Sequence, residues 1–256
     1  MSETFTERRE IILEALAEAG SISVSGIAKR LGVTPVTARA DLVALEEEGV
    51  LVRTHGGAVP AFHSAIFERS RRNKESKAAI AKAAAAEIHN GDTVIISAGT
   101  TTALIVKYLL GKRDIHIVTN NTLVLVYARM NPQLRVTLVG GEFRASEEGI
   151  VGPMALAAID QFHVKKTFIG IDGASIKQGF TAHFLESGDL VRKMADQADE
   201  VIVVSDSCKF GKSGFARILQ FDDVDTLITD VGIIQDFEKE LAGAGVRVVK
   251  AQASQV

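Results

Sequence analysis

Seven short runs of β-branched and other apolar residues recur between positions 93 and 249, and segments with helical patterns lie between most of them. In chain order the runs are Thr93–Ser97, Ile115–Thr119, Val136–Val139, Thr167–Ile171, Val201–Ser205, Thr226–Thr229 and Val246–Val249. The helical patterns lie near 101–110, 122–130, 153–162, 187–198 and 234–243. Such alternation is typical of an open α/β sheet that is largely parallel. The sequence therefore predicts an α/β domain over 76–256, opened by an alanine-rich helix over Ala79–Ile88.

The first of these runs leads into a turn of small residues, Ser97, Ala98 and Gly99, and then into Thr100 and Thr101. A helix that begins here would present unpaired N–H groups and the positive end of its dipole, which favour an anion. Glycine lets a ligand approach the backbone, and threonine hydroxyls add hydrogen-bond donors. Taken alone, the turn fits a phosphate site and an ordinary capped turn equally well.

Polar residues follow six of the seven predicted strands, and ligands of open α/β sheets bind outside the carboxyl ends of the strands. Hydroxyls, amides, carboxylates and a lysine suit a polyol that carries a phosphate. Any one of these residues could be a simple turn residue, but together they predict a binding cleft. The candidate ligand-binding residues are Ser97, Gly99, Thr100, Thr101, Asn120, Gly141, Glu142, Asp172, Glu186 and Lys209.

The first 59 residues have a different pattern, which predicts three helices and a small hairpin. The predicted helices are Phe5–Ala19, Val24–Leu31 and a third that runs from an N-cap at Thr34, with Pro35 in the first turn, to about Glu48. The predicted hairpin pairs Val50–Arg53 with Gly56–Val59. This order is typical of a winged helix-turn-helix, so residues 1–59 are predicted to form a DNA-binding domain.

In such a domain the third helix enters the major groove and the hairpin, or wing, contacts the DNA backbone. The candidate DNA-binding residues are Thr34, Pro35, Thr37, Arg39, Arg53, His55 and Gly56. Asp41 is expected to orient an arginine or cap the helix locally rather than to touch DNA. The alternative is a module for helix packing or dimerisation, which would leave DNA binding unchanged in Arg39→Ala.

Residues 60–75 are predicted to form a linker that begins at Pro60. Residues 1–60 carry six lysines and arginines against nine acidic residues, whereas 61–77 carry five against two. Because the N-terminal region is not basic as a whole, binding to DNA would require its cations to lie on one face. The basic run 69–74 fits a solvated helix start better than a contact with phosphates.

Composition and the first residues favour a cytoplasmic protein. Cys208 is the only cysteine, which excludes an intrachain disulfide, and no apolar run approaches the roughly 18 residues that span a membrane. The opening MSETFTERRE is charged and lacks a signal-peptide core. The six histidines show no spacing typical of metal ligands, so neither a metal nor a cofactor is expected.

Both parts of the chain resemble the DeoR family of bacterial transcriptional regulators. The resemblance rests on VSGIAKRLGVT, LEEEG and RTHGGA in the N-terminal part, and on GDTVIISAGTTT, IVTNN, LVGGEFR, VGPMA and SDSCKFG in the rest. It implies a repressor, or less often an activator, of a carbohydrate-catabolism operon. It also implies a C-terminal domain similar to sugar-phosphate isomerases and CoA-transferases, which binds a phosphorylated sugar and thereby alters operator affinity. Family members assemble as dimers or tetramers.

Two residues depart from the family's pattern. The family usually has a pair of arginines before the aspartate of the third helix, whereas this chain has Arg39 and Ala40. The family often has an aspartate where Ser97 stands. Operator preference and effector are therefore expected to differ from those of other members.

The main alternative is an enzyme, a sugar-phosphate isomerase with an accessory N-terminal domain. Such an isomerase needs a carboxylate base near the proton that it moves, and Asp172, Glu186 and Lys209 could supply a catalytic set. A catalytic cleft would not require the winged domain, so we expect a regulator and assign no catalytic residue.

Overall fold

The computed structural model describes residues 4–252, and the chain divides into two compact units between Arg71 and Arg72. The N-terminal unit contains helices α1 (Phe5–Ala19), α2 (Val24–Leu31), α3 (Pro35–Glu47) and α4 (Ser64–Arg71). Its strands β1 (Ile22–Ser23), β2 (Leu51–Thr54) and β3 (Gly57–Pro60) form an antiparallel sheet in the order β1-β3-β2. This order of elements confirms the predicted winged helix-turn-helix.

Side-chain caps fix where the first three helices begin. The hydroxyls of Thr4, Ser23 and Thr34 each accept a hydrogen bond from the amide three residues further on. A cap of this kind contributes about 1 kcal/mol to helix stability. Because these caps are local, the starts of the three helices could be read from the sequence.

The structure places a helix inside segment 60–75, which the sequence analysis treats as a linker. Ile66 and Phe67 of α4 are buried, and Phe67 packs into the same core as Ile12 and Leu16 of α1. Burial of the large apolar side chain of Phe67, favourable by about 1.5–3 kcal/mol, holds α4 in the core of the N-terminal unit. The sequence analysis treats the segment as a linker because basic residues dominate it and only two large apolar residues lie next to each other.

The C-terminal unit is built on a parallel sheet of seven strands. The strands are β4 (Thr93–Ile96), β5 (Ile115–Thr119), β6 (Leu134–Leu138), β9 (Val164–Gly170), β12 (Ala198–Val204), β14 (Thr226–Asp230) and β15 (Arg247–Ala251). Their order across the sheet is β15-β14-β12-β9-β4-β5-β6, and every neighbouring pair is parallel. The prediction of seven strands is confirmed, with boundaries that differ by three residues or fewer.

Helices cover both faces of this sheet. They are α5 (Lys74–Ala86), α6 (Thr100–Lys107), α7 (Val124–Ala128), α8 (Pro153–Ile159), α9 (Leu185–Asp196) and α10 (Gln235–Gly243). Helices α5, α6 and α7 pack on one face around Ile96 and Phe168. Helices α8, α9 and α10 pack on the other face, around Ile95 and Val203. None of the described helices is long and apolar enough to cross a membrane.

Five further strands lie outside the parallel sheet, and the sequence analysis missed them. Strands β7 (Glu142–Arg144) and β8 (Gly149–Val151) form a hairpin, and β10 (Gly173–Ser175), β11 (Gly179–Ala182) and β13 (Ala216–Leu219) form an antiparallel sheet. Each has only three or four residues, too few to show the alternation that identifies a strand. They follow parallel strands at the carboxyl edge of the sheet, where the predicted cleft lies.

Candidate functional site

The outer face of α3 presents the residues predicted to meet DNA. Thr34, Pro35 and Arg39 are exposed and Thr37 is half-buried, while the opposite face of the helix is buried in the core of the unit. The hydroxyl of Thr34 accepts the amide of Thr37 at 3.2 Å and lies 3.0 Å from the hydroxyl of Thr37. The first turn of α3 therefore carries two neighbouring hydroxyls, and one exposed guanidinium follows further along the helix.

Asp41 lies on the buried side of α3 and contacts Arg8 of α1. Arg8 donates to the two carboxylate oxygens of Asp41, from Nε at 2.7 Å and from Nη2 at 2.9 Å. A bidentate ion pair of this kind fixes both the distance and the relative orientation of the guanidinium and the carboxylate. The prediction that Asp41 orients an arginine is confirmed, and the bond joins α1 to α3.

The wing is attached to α3 through Arg53. The amide and Nε of Arg53 donate to the two carboxylate oxygens of Glu46 in α3, at 2.9 and 2.6 Å. These bonds, first the amide and then the guanidinium, lower the pKa of Glu46 below its ordinary value of 4.5. His55 and Gly56 are exposed at the tip of the hairpin. Arg53 thus has its side chain held beside the helix.

The order of the parallel strands reverses between β4 and β9, and ligands of doubly wound folds bind at that point. Ser97, at the end of β4, is buried there. Its hydroxyl accepts the amide of Gly170 at 3.0 Å, and its own amide donates to the carbonyl of Phe168 at 3.0 Å. Ser97 therefore ties the ends of β4 and β9 together at the mouth of the predicted cleft.

Gly99, Thr100 and Thr101 form the start of α6, immediately beyond this junction. Gly99 caps the helix with φ 150°, a conformation that favours glycine, and Thr100 and Thr101 are both 9% exposed. The hydroxyl of Thr102 lies 2.7 Å from the carbonyl oxygen of Ser97 and donates to it. The same hydroxyl also donates to the carbonyl of Gly99 at 3.0 Å. The two bonds fix the turn before α6, and the first N–H groups of this helix have no partners inside the helix.

Lys77 of α5 lies against this turn, and the sequence analysis missed it. Its side chain is 5% exposed, and Nζ donates to the hydroxyl of Thr100 at 3.3 Å. Lys77 is placed three residues before Ile80 and four before Ala81, on the buried face of the helix. That spacing was visible in the sequence as a lysine on an otherwise apolar stripe.

Asn120 and the neighbouring Asn121 brace the turn from β5. Asn120 accepts the amide of Ala98 at 2.8 Å and donates to the carbonyl of Ile150 at 2.9 Å. Asn121 donates to the carbonyls of Ser97 and Gly99, at 3.1 and 3.0 Å. Asn120 is buried with both ends of its amide occupied, so in this structure it supports the turn.

Gly141 and Glu142 open the β7–β8 hairpin. Gly141 has φ 150°, and a Cβ there would lie 2.6 Å from the carbonyl oxygen of Val151, so only glycine fits without rearrangement. Glu142 is exposed. The hairpin approaches the β4 turn, because a Cβ at Gly149 would lie 2.9 Å from Cβ of Ala98.

Glu186, in the first turn of α9, is exposed and forms an ion pair with Arg144 of β7 at 3.2 Å. Its own backbone amide and then Arg144 lower the pKa of Glu186 below 4.5. Arg144 also lies 3.4 Å from Glu147 and 4.6 Å from the ring centre of Phe184. The sequence analysis did not identify Arg144 as a site residue, because its partners come from distant positions.

Asp172 and Lys209 follow β9 and β12. Asp172 is half-buried and accepts the amide of His183 at 3.0 Å. Lys209 is half-buried in a short 3₁₀ helix over Ser207–Lys209. In the part of the chain that the structure describes, no hydrogen bond or ion pair joins Asp172, Glu186 or Lys209 to the start of α6.

Asp206, immediately before that 3₁₀ helix, is buried and contacts the beginning of α5. Its carboxylate accepts a hydrogen bond from the side-chain amide of Asn73 at 3.0 Å. Asn73 has the left-handed conformation, with φ 53°, which asparagine adopts more readily than most residues. The first turns of α5 therefore contact the ends of two strands, through Asn73 at β12 and through Lys77 at β4. Among residues 4–252 no group of three or more metal-ligating side chains occurs.

Two family models match the chain. One, described as a DeoR-like helix-turn-helix domain, matches residues 8–61, and the other, described as a DeoR C terminal sensor domain, matches residues 72–231. The chain belongs to the DeoR family. The first match contains α3 and the wing, and the second contains Lys77 and the turn at the start of α6. The resemblance seen in the sequence is thereby confirmed.

Relatives of this DeoR-family chain match along most of its length. The HTH-type transcriptional repressor GlcR of Bacillus subtilis is 35% identical over 228 residues, which are 88% of each protein. The Glycerol-3-phosphate regulon repressor of Escherichia coli is 30% identical and covers 88% of this chain and 90% of its own. The HTH-type transcriptional regulator GlpR of Haloferax volcanii is 30% identical over 96% of this chain and 98% of its own. Two of these relatives are named as HTH-type transcriptional regulators and the third as a regulon repressor.

Solved structures resemble the DeoR-family chain less closely. The Pyrococcus horikoshii translation initiation factor eIF-2B superposes with TM-score 0.47 at 14% identity, over 93% of this chain and 94% of its own. A D-ribose-5-phosphate isomerase in complex with phospho-erythronic acid superposes with TM-score 0.40 at 17% identity, over 54% of each chain.

Proposed function

We propose that this chain represses a carbohydrate-catabolism operon and that a phosphorylated sugar, bound in the C-terminal unit, controls its affinity for operator DNA. The observation that carries the proposal is the buried ammonium of Lys77 beside the hydroxyl of Thr100, at the point where the strand order reverses. A relative is named as a repressor of a glycerol-3-phosphate regulon, which is consistent with a phosphorylated polyol.

The start of α6 has the chemistry that a phosphate group needs. The first N–H groups of α6 point out of the N-terminal end of the helix, towards the place where the phosphate would bind. The positive end of the helix dipole lies at the same end. Thr100 and Thr101 supply hydroxyls, and Lys77 supplies a cation that is already desolvated. Because Gly99 has no side chain, the phosphate oxygens can approach the backbone closely. Binding here would replace water around the phosphate with groups fixed in position.

The sugar itself would extend from this turn towards the polar ends of the neighbouring strands. Glu142, Asp172 and Lys209 remain the candidates for its hydroxyls, together with Glu186 at the more distant α9. Ser97, Asn120 and Gly141 contribute by shaping the turn and the hairpin, given the hydrogen bonds and close approaches that they make in this structure.

Coupling to the operator would pass through the first turns of α5. This helix is the first element after the N-terminal unit, which ends at Arg71. Within the C-terminal unit, Lys77 contacts the proposed phosphate site and Asn73 contacts Asp206. A ligand that binds Lys77 and Lys209 would therefore disturb both contacts of the start of α5, the one to Thr100 and the one to Asp206. The start of α5 directly follows the DNA-binding unit in the chain.

Asn73→Gly is expected to uncouple the two activities. Glycine keeps the left-handed backbone at this position and removes only the bond to Asp206. Allosteric coupling between sites is typically about 1–3 kcal/mol, or about 5- to 150-fold in affinity. In the variant, the ratio of the operator Kd values with and without ligand should fall towards one. Operator affinity without ligand and ligand affinity without operator should be retained. The measurement is a titration of operator DNA with and without ligand.

Asp206→Asn is the matched control, because asparagine keeps an oxygen that can accept from Asn73. It should retain the coupling. A response of Asn73→Gly equal to that of the unaltered chain would contradict this route and leave the regulator itself untouched.

The isomerase alternative is less well supported. A general base works best when its pKa lies near the working pH. The pKa of Glu186 is instead lowered below 4.5, first by its own backbone amide and then by Arg144. The relatives that match over most of the chain are named as transcriptional regulators. We infer that the chain binds DNA, as a homo-oligomer with two copies of α3 in successive major grooves, and is not an enzyme.

A thermal-shift screen tests the sensor half of this proposal. The full chain is melted with a panel of phosphorylated sugars and with their unphosphorylated parents. A ligand at 100 times its Kd stabilises the native state by about 2.7 kcal/mol, which raises the melting temperature measurably. We expect a shift with one phosphorylated compound and none with its parent. A panel without any shift, or an equal shift with the parent, would contradict a phosphate site at α6.

A further inference from the structure

Val36 is a large apolar side chain on the outer face of the recognition helix. It is 72% exposed, although the opposite face of α3 buries Leu42 and Leu45 in the core. Its exposure therefore has no explanation in the packing of the N-terminal unit. Burial of a valine side chain is favourable, so a surface that covers Val36 would gain from it.

The position of Val36 places it where a helix-turn-helix reads bases. Val36 follows Pro35 in the first turn of α3, with Arg39 three residues and Ala40 four residues further on. The N-terminal residues of a recognition helix contact base edges in the major groove. Arg39 and Ala40 are exposed on the same face, so the surface consists of one cation beside two apolar side chains.

This surface matches one feature of the major groove. The C5-methyl group of thymine is the apolar group that the groove presents, whereas the other bases present donors and acceptors that valine cannot satisfy. An unsatisfied polar group would be left desolvated against Val36. We propose that Val36 reads a thymine methyl group in each half-site of the operator. Ala40 adds no hydrogen-bonding group that would favour another base.

The test begins with operator duplexes selected from a random pool by the full chain. Each thymine of the selected half-site is then replaced in turn by uracil, which removes only the methyl group. Affinities are measured for the unaltered chain and for Val36→Ala. Loss of one buried methyl group costs about 0.8 kcal/mol, or about fourfold in affinity. We expect one thymine at which uracil weakens the unaltered chain about fourfold and leaves Val36→Ala unchanged.

Folding does not confuse this comparison, because Val36 is exposed and alanine has a higher helix propensity than valine. Val52→Ala, at a half-exposed valine of β2, is the matched control and should keep the uracil effect. The proposal is overturned if no thymine is fixed in the selected half-sites. It is also overturned if uracil affects Val36→Ala as much as the unaltered chain at every thymine.

Discussion

Replacement of Lys77 by methionine is expected to weaken binding of a phosphorylated sugar by about tenfold to 150-fold. Hydrogen bonds to charged groups are worth about 1.5–3 kcal/mol, and this change removes the cation next to Thr100. Methionine keeps much of the unbranched stem of lysine, so the buried position should remain filled. The measurement is isothermal titration of the phosphorylated compound found in the thermal-shift screen.

Lys82→Met is the control for this prediction. Lys82 lies on the same helix but is exposed, so its removal changes net charge equally without reaching the phosphate site. The parent sugar supplies a second comparison, because Lys77→Met should lose the preference for the phosphorylated compound. If Lys77→Met and Lys82→Met bind that compound equally well, Lys77 does not hold the phosphate.

Replacement of Arg8 by methionine is expected to destabilise the N-terminal unit by about 3 kcal/mol. The change leaves the carboxylate of Asp41, whose side chain is 5% exposed, without the two hydrogen bonds that Arg8 donates to it. Removal of one partner of a buried ion pair typically costs about 3–5 kcal/mol. We take the lower end because the Arg8 side chain is 15% exposed.

Arg9→Met provides the matched control in the neighbouring residue. Arg9 pairs with Glu10 and Glu48 on the surface, and exposed pairs contribute under about 1 kcal/mol. The two tyrosines, Tyr108 and Tyr127, are in the C-terminal unit, and there is no tryptophan. In a urea titration, tyrosine fluorescence therefore follows the C-terminal unit and far-ultraviolet circular dichroism follows both. Equal effects of the two substitutions on the dichroism transition would contradict a special role for the Arg8–Asp41 pair.

Features encoded by neighbouring residues could be predicted from the sequence. Thr34 and Pro35 mark the start of α3 because the capping bond is local. The strands of the parallel sheet are buried on both faces, so they appear as continuous apolar runs such as Thr93–Ser97. The turn at Gly99 follows from the same local pattern.

Features that depend on distant partners could not be predicted in this way. Asp41 indicated that an arginine was near, but which arginine depends on how α1 packs against α3. Arg144 and Glu186 are brought together only by the position of a hairpin that the sequence did not reveal. Lys77 is a different case, because its helical spacing from Ile80 and Ala81 predicts a buried position from the sequence alone. The sequence analysis did not use that spacing.

We propose that one chain binds both operator DNA and a phosphorylated sugar, and that the sugar changes the affinity for DNA. The most direct measurement is the Kd of the full chain for its selected operator duplex, alone, with the phosphorylated compound and with its parent. We predict that the phosphorylated compound changes the Kd for the operator by about 5- to 150-fold and that the parent does not. An unchanged Kd at a saturating concentration of the phosphorylated compound would contradict coupling between the sugar site and the DNA-binding unit.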